Sequence, residues 1–253
     1  MTRAVLHRVR PYCRNFLARR AGMVLVRKPP TLLRNAGSEL TVSLDMVLGH
    51  YRQTHPRVQF LQIGAFDGIS NDPIYPLVEK HALHGVLVEP QPDAFRALQS
   101  NYACFTHSRF AFVNAAIAGK DGSASLYRIR QDAQGPAWLR QIASFNKSVV
   151  LKHAATVHGL ESLVEETRVP CVSFETLLAS HGIDRVDLLQ IDAEGHDGEL
   201  IRLFNVAARE PAIVRFEHKH LTPADYEDTL SSLIDNGYKV AICGDDTLAY
   251  REG

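Results

Sequence analysis

Acids and glycines collect at a few points along the 253-residue chain, each directly after an apolar run. "FLQIGAFDG" (60–68) carries Gly64, Asp67 and Gly68, and "GVLVEP" (85–90) runs into Glu89. Asn114 and Ala115 follow "FAFV", Asp192 and Glu194 follow "DLLQI", and Glu217 and His218 follow "AIVRF". Short apolar runs bounded by turn residues read as buried strands. In a doubly wound sheet, ligands sit outside the carboxyl ends of the strands, beside the switch point. Acids at strand ends are therefore candidates for ligand work in a way that acids on helix faces are not.

The chemistry follows from the residue types. Gly64, Ala65, Asp67 and Gly68 form a G-x-x-x-G turn, where glycine lets a ligand approach the backbone closely. This is not the G-x-G-x-x-G dinucleotide fingerprint. Glu89, about 20 residues further on, can accept hydrogen bonds from both hydroxyls of a ribose. Turn and acid together indicate a nucleoside-containing cofactor. Asp192 and Glu194 attract a cationic sulfonium and repel a pyrophosphate, which favours S-adenosylmethionine over a nicotinamide dinucleotide. An NAD-dependent oxidoreductase and a non-catalytic nucleoside-binding subunit are the alternatives. A hydroxyl acceptor needs a base within reach, and the candidates are Asp192, Glu194, His196 and His218. His218 is preferred because it ends a core strand; Glu217, alternating with it, is expected to face the other side. A second route places magnesium or another divalent ion on Asp192, Glu194 and His218.

These groups need elements to hold them. From about residue 39 strand and helix patterns alternate, the signature of an α/β sheet. "SELTVSLDMVLGHYRQTHP" predicts a helix ending before Pro56, and Asp72-Pro73 predicts another opening at "DPIYPLVEKHA". "RFAFVNAAIAG" reads as one strand, and Asp121-Gly122 as the turn of a hairpin. "YKVAICG" and "TLAYRE" close the sheet as an antiparallel pair. Residues 131–168 interrupt the rhythm, as lids and substrate-binding insertions do. Ser144, Asn146, Lys147, Lys152 and His153 within them suit a polar or phosphorylated acceptor.

Composition narrows the class. Hydrophobic residues are 45% and charged residues 22%, an ordinary globular mixture. Cys13, Cys104, Cys171 and Cys243 lack metal or redox spacing, which fits reduced thiols in a cytoplasmic setting. No acid precedes Glu39, whereas nine basic residues do, leaving 19 basic against 28 acidic in the rest. The partition is a basic, partly helical arm (1–38) and one domain (39–253) with the insertion. The arm suits docking on the acidic body, an anionic membrane surface or a partner; no nucleic-acid recognition module accompanies it. Nucleophile-elbow, P-loop and zinc-protease motifs are absent from the sequence.

"FLQIGAFDG", "GVLVEPQPDAFRALQSNY", "VNAAIAG", "VDLLQIDAEGHDGELIR" and "PAIVRFEHKHL" together resemble the FkbM family of S-adenosylmethionine-dependent methyltransferases. The resemblance spans roughly residues 58–250, and "IDAEGHDGE" is its most specific part. It implies a Rossmann-like class I methyltransferase with a seven-stranded, mostly parallel sheet and helices on both faces. It also implies O-methylation of a sugar, glycan or small natural product. On these positions Gly64 to Gly68 would wrap the methionine part, Glu89 would hold the ribose, and Asn114-Ala115 would lie near the adenine. Asp192 would approach the methionine amine or the transfer site. Gln62 stands where many members carry an acid, and Asp67 is expected to compensate.

Overall fold

In the computed structural model, which describes residues 34–35, 38–39, 42–105 and 109–251, seven strands form one sheet. In chain order they are β1 (Val58–Ile63), β2 (Leu83–Val88), β3 (Phe110–Val113), β4 (Leu188–Ile191), β5 (Ile213–Glu217), β6 (Lys239–Cys243) and β7 (Asp246–Tyr250). Their order across the sheet is β6-β7-β5-β4-β1-β2-β3. The five strands from β5 to β3 run parallel, and β7 pairs antiparallel with both β5 and β6. The chain reverses its winding between β1 and β4, so the switch point lies there. The expected seven-stranded Rossmann-like architecture is the observed one.

Strand parity explains how the sheet is covered. Leu61, Ile63, Val86, Val88, Leu189, Ile191, Val214 and Phe216 face one apolar cluster. That cluster is completed by helices α3 (Phe174–Ser180), α4 (Asp197–Phe204) and α5 (Pro223–Asp235). The alternate residues Val58, Phe60, Leu87, Leu188 and Ile213 face a second cluster with α1 (Leu44–Tyr51) and α2 (Pro92–Tyr102). Strands buried on both faces must be apolar at nearly every position. The helices start where side chains satisfy free amides: Ser43, Ser173 and Thr222 accept from Met46, Thr176 and Asp225.

Several local expectations are overturned. Asp72 does accept from the amides of Ile74 and Tyr75, but it opens only a single 3-10 turn, Tyr75–Leu77, because Pro76 supplies no amide donor. The third strand is divided: Phe110–Val113 joins the main sheet, and Ala116–Ile117 joins a second, four-stranded one. Asp121-Gly122 does not close a hairpin. Ala116–Ile117 and Gly122–Ile129 instead flank Val164–Val172 on opposite sides. Residues 164–168, assigned by sequence to the insertion, belong to that central strand. Between these strands lie short helical turns, the helix Lys147–Leu151 and a small apolar cluster that includes Ile129, Leu139, Ile142, Val150 and Leu160.

The basic arm falls outside the described residues except for a two-residue pairing, Arg34–Asn35 with Ser38–Glu39. Among the described residues no helix is long and apolar enough to cross a membrane. Cys104, Cys171 and Cys243 are free thiols.

Candidate functional site

On the second face of the sheet, parity carries each strand from apolar to polar residues as it nears its carboxyl end. Phe60 gives way to Gln62, Leu188 to Gln190 and Ile213 to Arg215, and register places Gln62 beside Gln190 and Gln190 beside Arg215. Arg215 donates to Gln190 Oε1 (3.1 Å) and to Asp246, while Gln62 donates to Asp72. Beyond this polar row lies a cavity of about 420 Å³ across the switch point, a size that suits a small-molecule ligand. Gly64, Ala65, Glu89, Ala115, Asp192 and Glu194 line it, together with His196, Glu217 and His220.

The glycine turn is built more for packing than for ligand contact. A Cβ on Gly64 would sit 1.8 Å from the carbonyl oxygen of Asp192, and φ there is +76°. Glycine therefore lets β1 and β4 close together at the switch point. A Cβ on Gly68 would meet Leu98 at 2.4 Å and Tyr102 at 2.6 Å, so this glycine seats the turn against α2 and lies outside the cavity lining. Asp67 is also outside it, because its carboxylate accepts from the amides of Ile69 and Ser70 and from the Ser70 hydroxyl. Beside Gln62 the neighbouring acid is Asp72, not Asp67.

Glu89 is 3% exposed and accepts from the amides of Phe66 and Gln91, both at 2.8 Å. Burial outweighs those two donors and pushes its pKa up to about 7. Asn114 sends its amide to the carbonyls of Glu89 and Pro90, so it fixes the strand end while Ala115 lines the cavity.

Four carboxylates meet at the ends of β4 and β5. Asp192 remains exposed to the cavity, yet enough protein surrounds it to raise its pKa to about 6. Asp197 is fully buried and accepts from the amides of Ala193 and Glu217; burial and then repulsion from Asp192 hold it well above the usual range. Burial, followed by the charge of Asp192, raises Glu194 to about 8 and Glu217 to about 9. Glu194 adopts the left-handed conformation (φ +45°), and the Ser144 hydroxyl donates to its carbonyl at 2.9 Å.

His218 is not part of this constellation. Its Nδ1 lies 3.0 Å from the Thr247 hydroxyl and its ring stacks on Tyr226 at 4.7 Å. It follows the parity of Phe216, toward the first apolar cluster, whereas Glu217 follows Arg215 into the cavity. The expectation for this pair was inverted. The divalent-ion set therefore loses His218, and the neighbouring imidazole is that of His220. His196 lines the cavity, edge-on to Phe145 at 5.2 Å.

From the inserted segment, Trp138, Gln141, Ser144 and Phe145 line the cavity. Asn146 caps the helix Lys147–Leu151, and Lys147 and Lys152 are exposed outside the lining. The His153 side chain falls outside the described part of the chain. Glu217, His220 and Asp72 were missed by sequence reasoning. The alternation Val214-Arg215-Phe216-Glu217, apolar then charged, was the signal for the first of them.

A doubly wound sheet with this strand order and a glycine-lined cavity at its switch point is the Rossmann-like architecture of class I methyltransferases. The FkbM methyltransferase domain matches residues 62–240. The chain belongs to the FkbM methyltransferase family. A solved FkbM methyltransferase from Methylobacillus flagellatus KT is similar in fold, with a TM-score of 0.50 and 12% identity. The match covers 89% of this chain and 48% of that one, so the chain spans about half that protein's length. A precorrin-6y C5,15-methyltransferase from Geobacter metallireducens GS-15 is a more distant match, with a TM-score of 0.39, 12% identity and coverage of 85% of this chain and 93% of that one. Comparison with curated proteins finds no match. The family implies S-adenosylmethionine as cofactor.

Proposed function

We propose that this chain transfers a methyl group from S-adenosylmethionine to a hydroxyl of a sugar, glycan or other polyhydroxylated small molecule. The observation that carries the reading is the cavity at the switch point, with Glu89 at one wall and Asp192 at the other. Glu89 takes the ribose hydroxyls on the lone pairs that the amides of Phe66 and Gln91 leave free. Ala115, Ala116 and Ile117 supply an apolar seat for the adenine. Asp192, ionised at neutral pH, favours the sulfonium cation.

In the reaction an acceptor oxygen attacks the methyl carbon in line. The C–O bond forms as the C–S bond breaks, and the sulfur keeps the electron pair as a neutral thioether. Asp192 takes the hydroxyl proton; with a pKa of about 6 it is ionised at neutral pH and open to the cavity. Catalysis otherwise consists of alignment and exclusion of water. The aromatic rings of Trp138 and Phe145, with Gln141 and the nearby carboxylates, suit an uncharged polyol. Arg215 and Lys219 are the basic side chains at the cavity among the described residues, and they engage Asp246 and Asp245. A phosphorylated acceptor is thus disfavoured.

Calorimetric titration with S-adenosylhomocysteine tests the donor site: one equivalent should bind, and an absence of heat at millimolar ligand would rule the reading out. Methyl-labelled donor with a panel of polyols tests the acceptor, since an ether product keeps its label in alkali and an ester does not.

A further inference from the structure

The carboxylates of Glu194 and Glu217 converge on an imidazole. Glu194 Oε2 lies 3.2 Å from His220 Nε2, and Glu217 Oε2 lies 3.8 Å from the same nitrogen. One donor atom from each residue lies within 4.8 Å of the others. Both Oε2 atoms are buried, and neither accepts a hydrogen bond among the described residues. Two buried carboxylate oxygens are costly without a donor or cation for each, and here both turn to one imidazole nitrogen. Lys219 acts on them only from a distance, since it pairs with Asp245 at 3.1 Å, and Arg215 is held by Asp246 and Gln190.

We propose that Glu194, Glu217 and His220 bind a divalent first-row transition ion in the wall of the cavity. Two ligands on one such ion, with bonds of about 2.1 Å, stand roughly 3 to 4 Å apart, the spacing that His220 Nε2 already has from each carboxylate. Two carboxylate oxygens with an imidazole nitrogen suit manganese, iron or zinc better than magnesium or calcium, which prefer all-oxygen shells. The fold fixes the donors: Gly195 brings the Glu194 turn against His220, where even an added Cβ would come within 3.4 Å of its side chain. All three residues line the cavity. If the methyl-transfer reading holds, the ion orients the acceptor hydroxyl and eases its deprotonation by Asp192.

The test uses the 253-residue chain stripped with chelator and titrated with Mn2+, with free ion followed by electron paramagnetic resonance. One equivalent should bind saturably. Glu217→Gln and His220→Ala should each weaken binding roughly tenfold or more, on the scale by which even supporting residues affect metal affinity. His218→Ala should leave it unchanged. Mn2+ should also raise the melting temperature of the unsubstituted protein, reversibly with chelator, so the result survives a variant that does not fold. Absence of saturable binding, or binding equal in the two ligand variants and the parent, overturns the site. Titration of the same stripped protein with S-adenosylhomocysteine separates the two ideas. Cofactor binding without Mn2+ binding removes the ion and keeps the methyltransferase, and the converse does the opposite.

Discussion

Glu89 shows what one buried carboxylate does to a binding site. With its pKa raised from 4.5 to about 7, the fold favours its neutral form. The stability gained from that protonation is complete below pH 4.5 and is lost as the pH climbs through 7, on the order of 3 kcal/mol in total. Ribose hydroxyls reverse the preference, because they donate to the ionised form. Affinity for S-adenosylhomocysteine should therefore rise between pH 6 and pH 8. Glu89→Gln should bind at least about tenfold more weakly at pH 8 and lose this pH dependence; calorimetry at the two pH values decides it, and a pH dependence retained in the variant would assign the titration elsewhere. His218 behaves differently because it is a half-buried packing histidine, stacked on Tyr226. His218→Ala should lower stability by roughly 1–3 kcal/mol through the lost stacking on Tyr226 and the lost contact with Thr247. Urea denaturation should show that loss, while cofactor affinity stays within about twofold.

At the scale of elements, most of the sheet was legible because buried parallel strands are written as apolar runs, and β1, β2, β4 and β5 are such runs. Their carboxyl ends were legible too, since a polar residue after an apolar run has few other reasons to be there. What escaped were features that depend on a neighbour. Asp67 and Gly68 resemble ligand-binding residues in sequence, but one ties its own turn and the other yields space to Leu98 and Tyr102. His220 sits beyond the last strand residue of β5, and only the turn back against Gly195 brings it to Glu194. The hairpin failed because the partner of Gly122–Ile129 lies some forty residues downstream, in Val164–Val172. Two glycines give a direct contrast. Gly64→Ala, with positive φ and a backbone carbonyl in the way, should destabilise by at least about 2 kcal/mol. Gly49→Ala, on the exposed side of α1 with nothing nearer than 3.8 Å, should stabilise by roughly 0.5–1 kcal/mol. Denaturant midpoints that moved the same way in both would contradict this account of the switch point.

The molecule as a whole joins two bodies with different cores. The main sheet is buried between two large apolar clusters, whereas the segment over the cavity has its own small one around Leu139, Ile142, Val150 and Leu160. Its ties to the body at the cavity include Ser144 Oγ to the Glu194 carbonyl, Asn71 to Gln141 at 3.1 Å, and Phe145 against His196. A unit with its own small core can open without disturbing the sheet. Amide exchange over residues 137–152 should thus be faster than in β1 or β4, and S-adenosylhomocysteine should slow it there while leaving the strands unchanged. Ser144→Ala removes the tie that holds Glu194 in its left-handed conformation, so exchange in this segment should quicken and cofactor release accelerate several-fold. The melting temperature, set by the large cores, should move by no more than the few degrees that a single hydrogen bond represents. If the variant instead lost stability globally with no change in release, the segment would be an integral part of the main fold, and entry to the cavity would have to lie along the β5–β7 side.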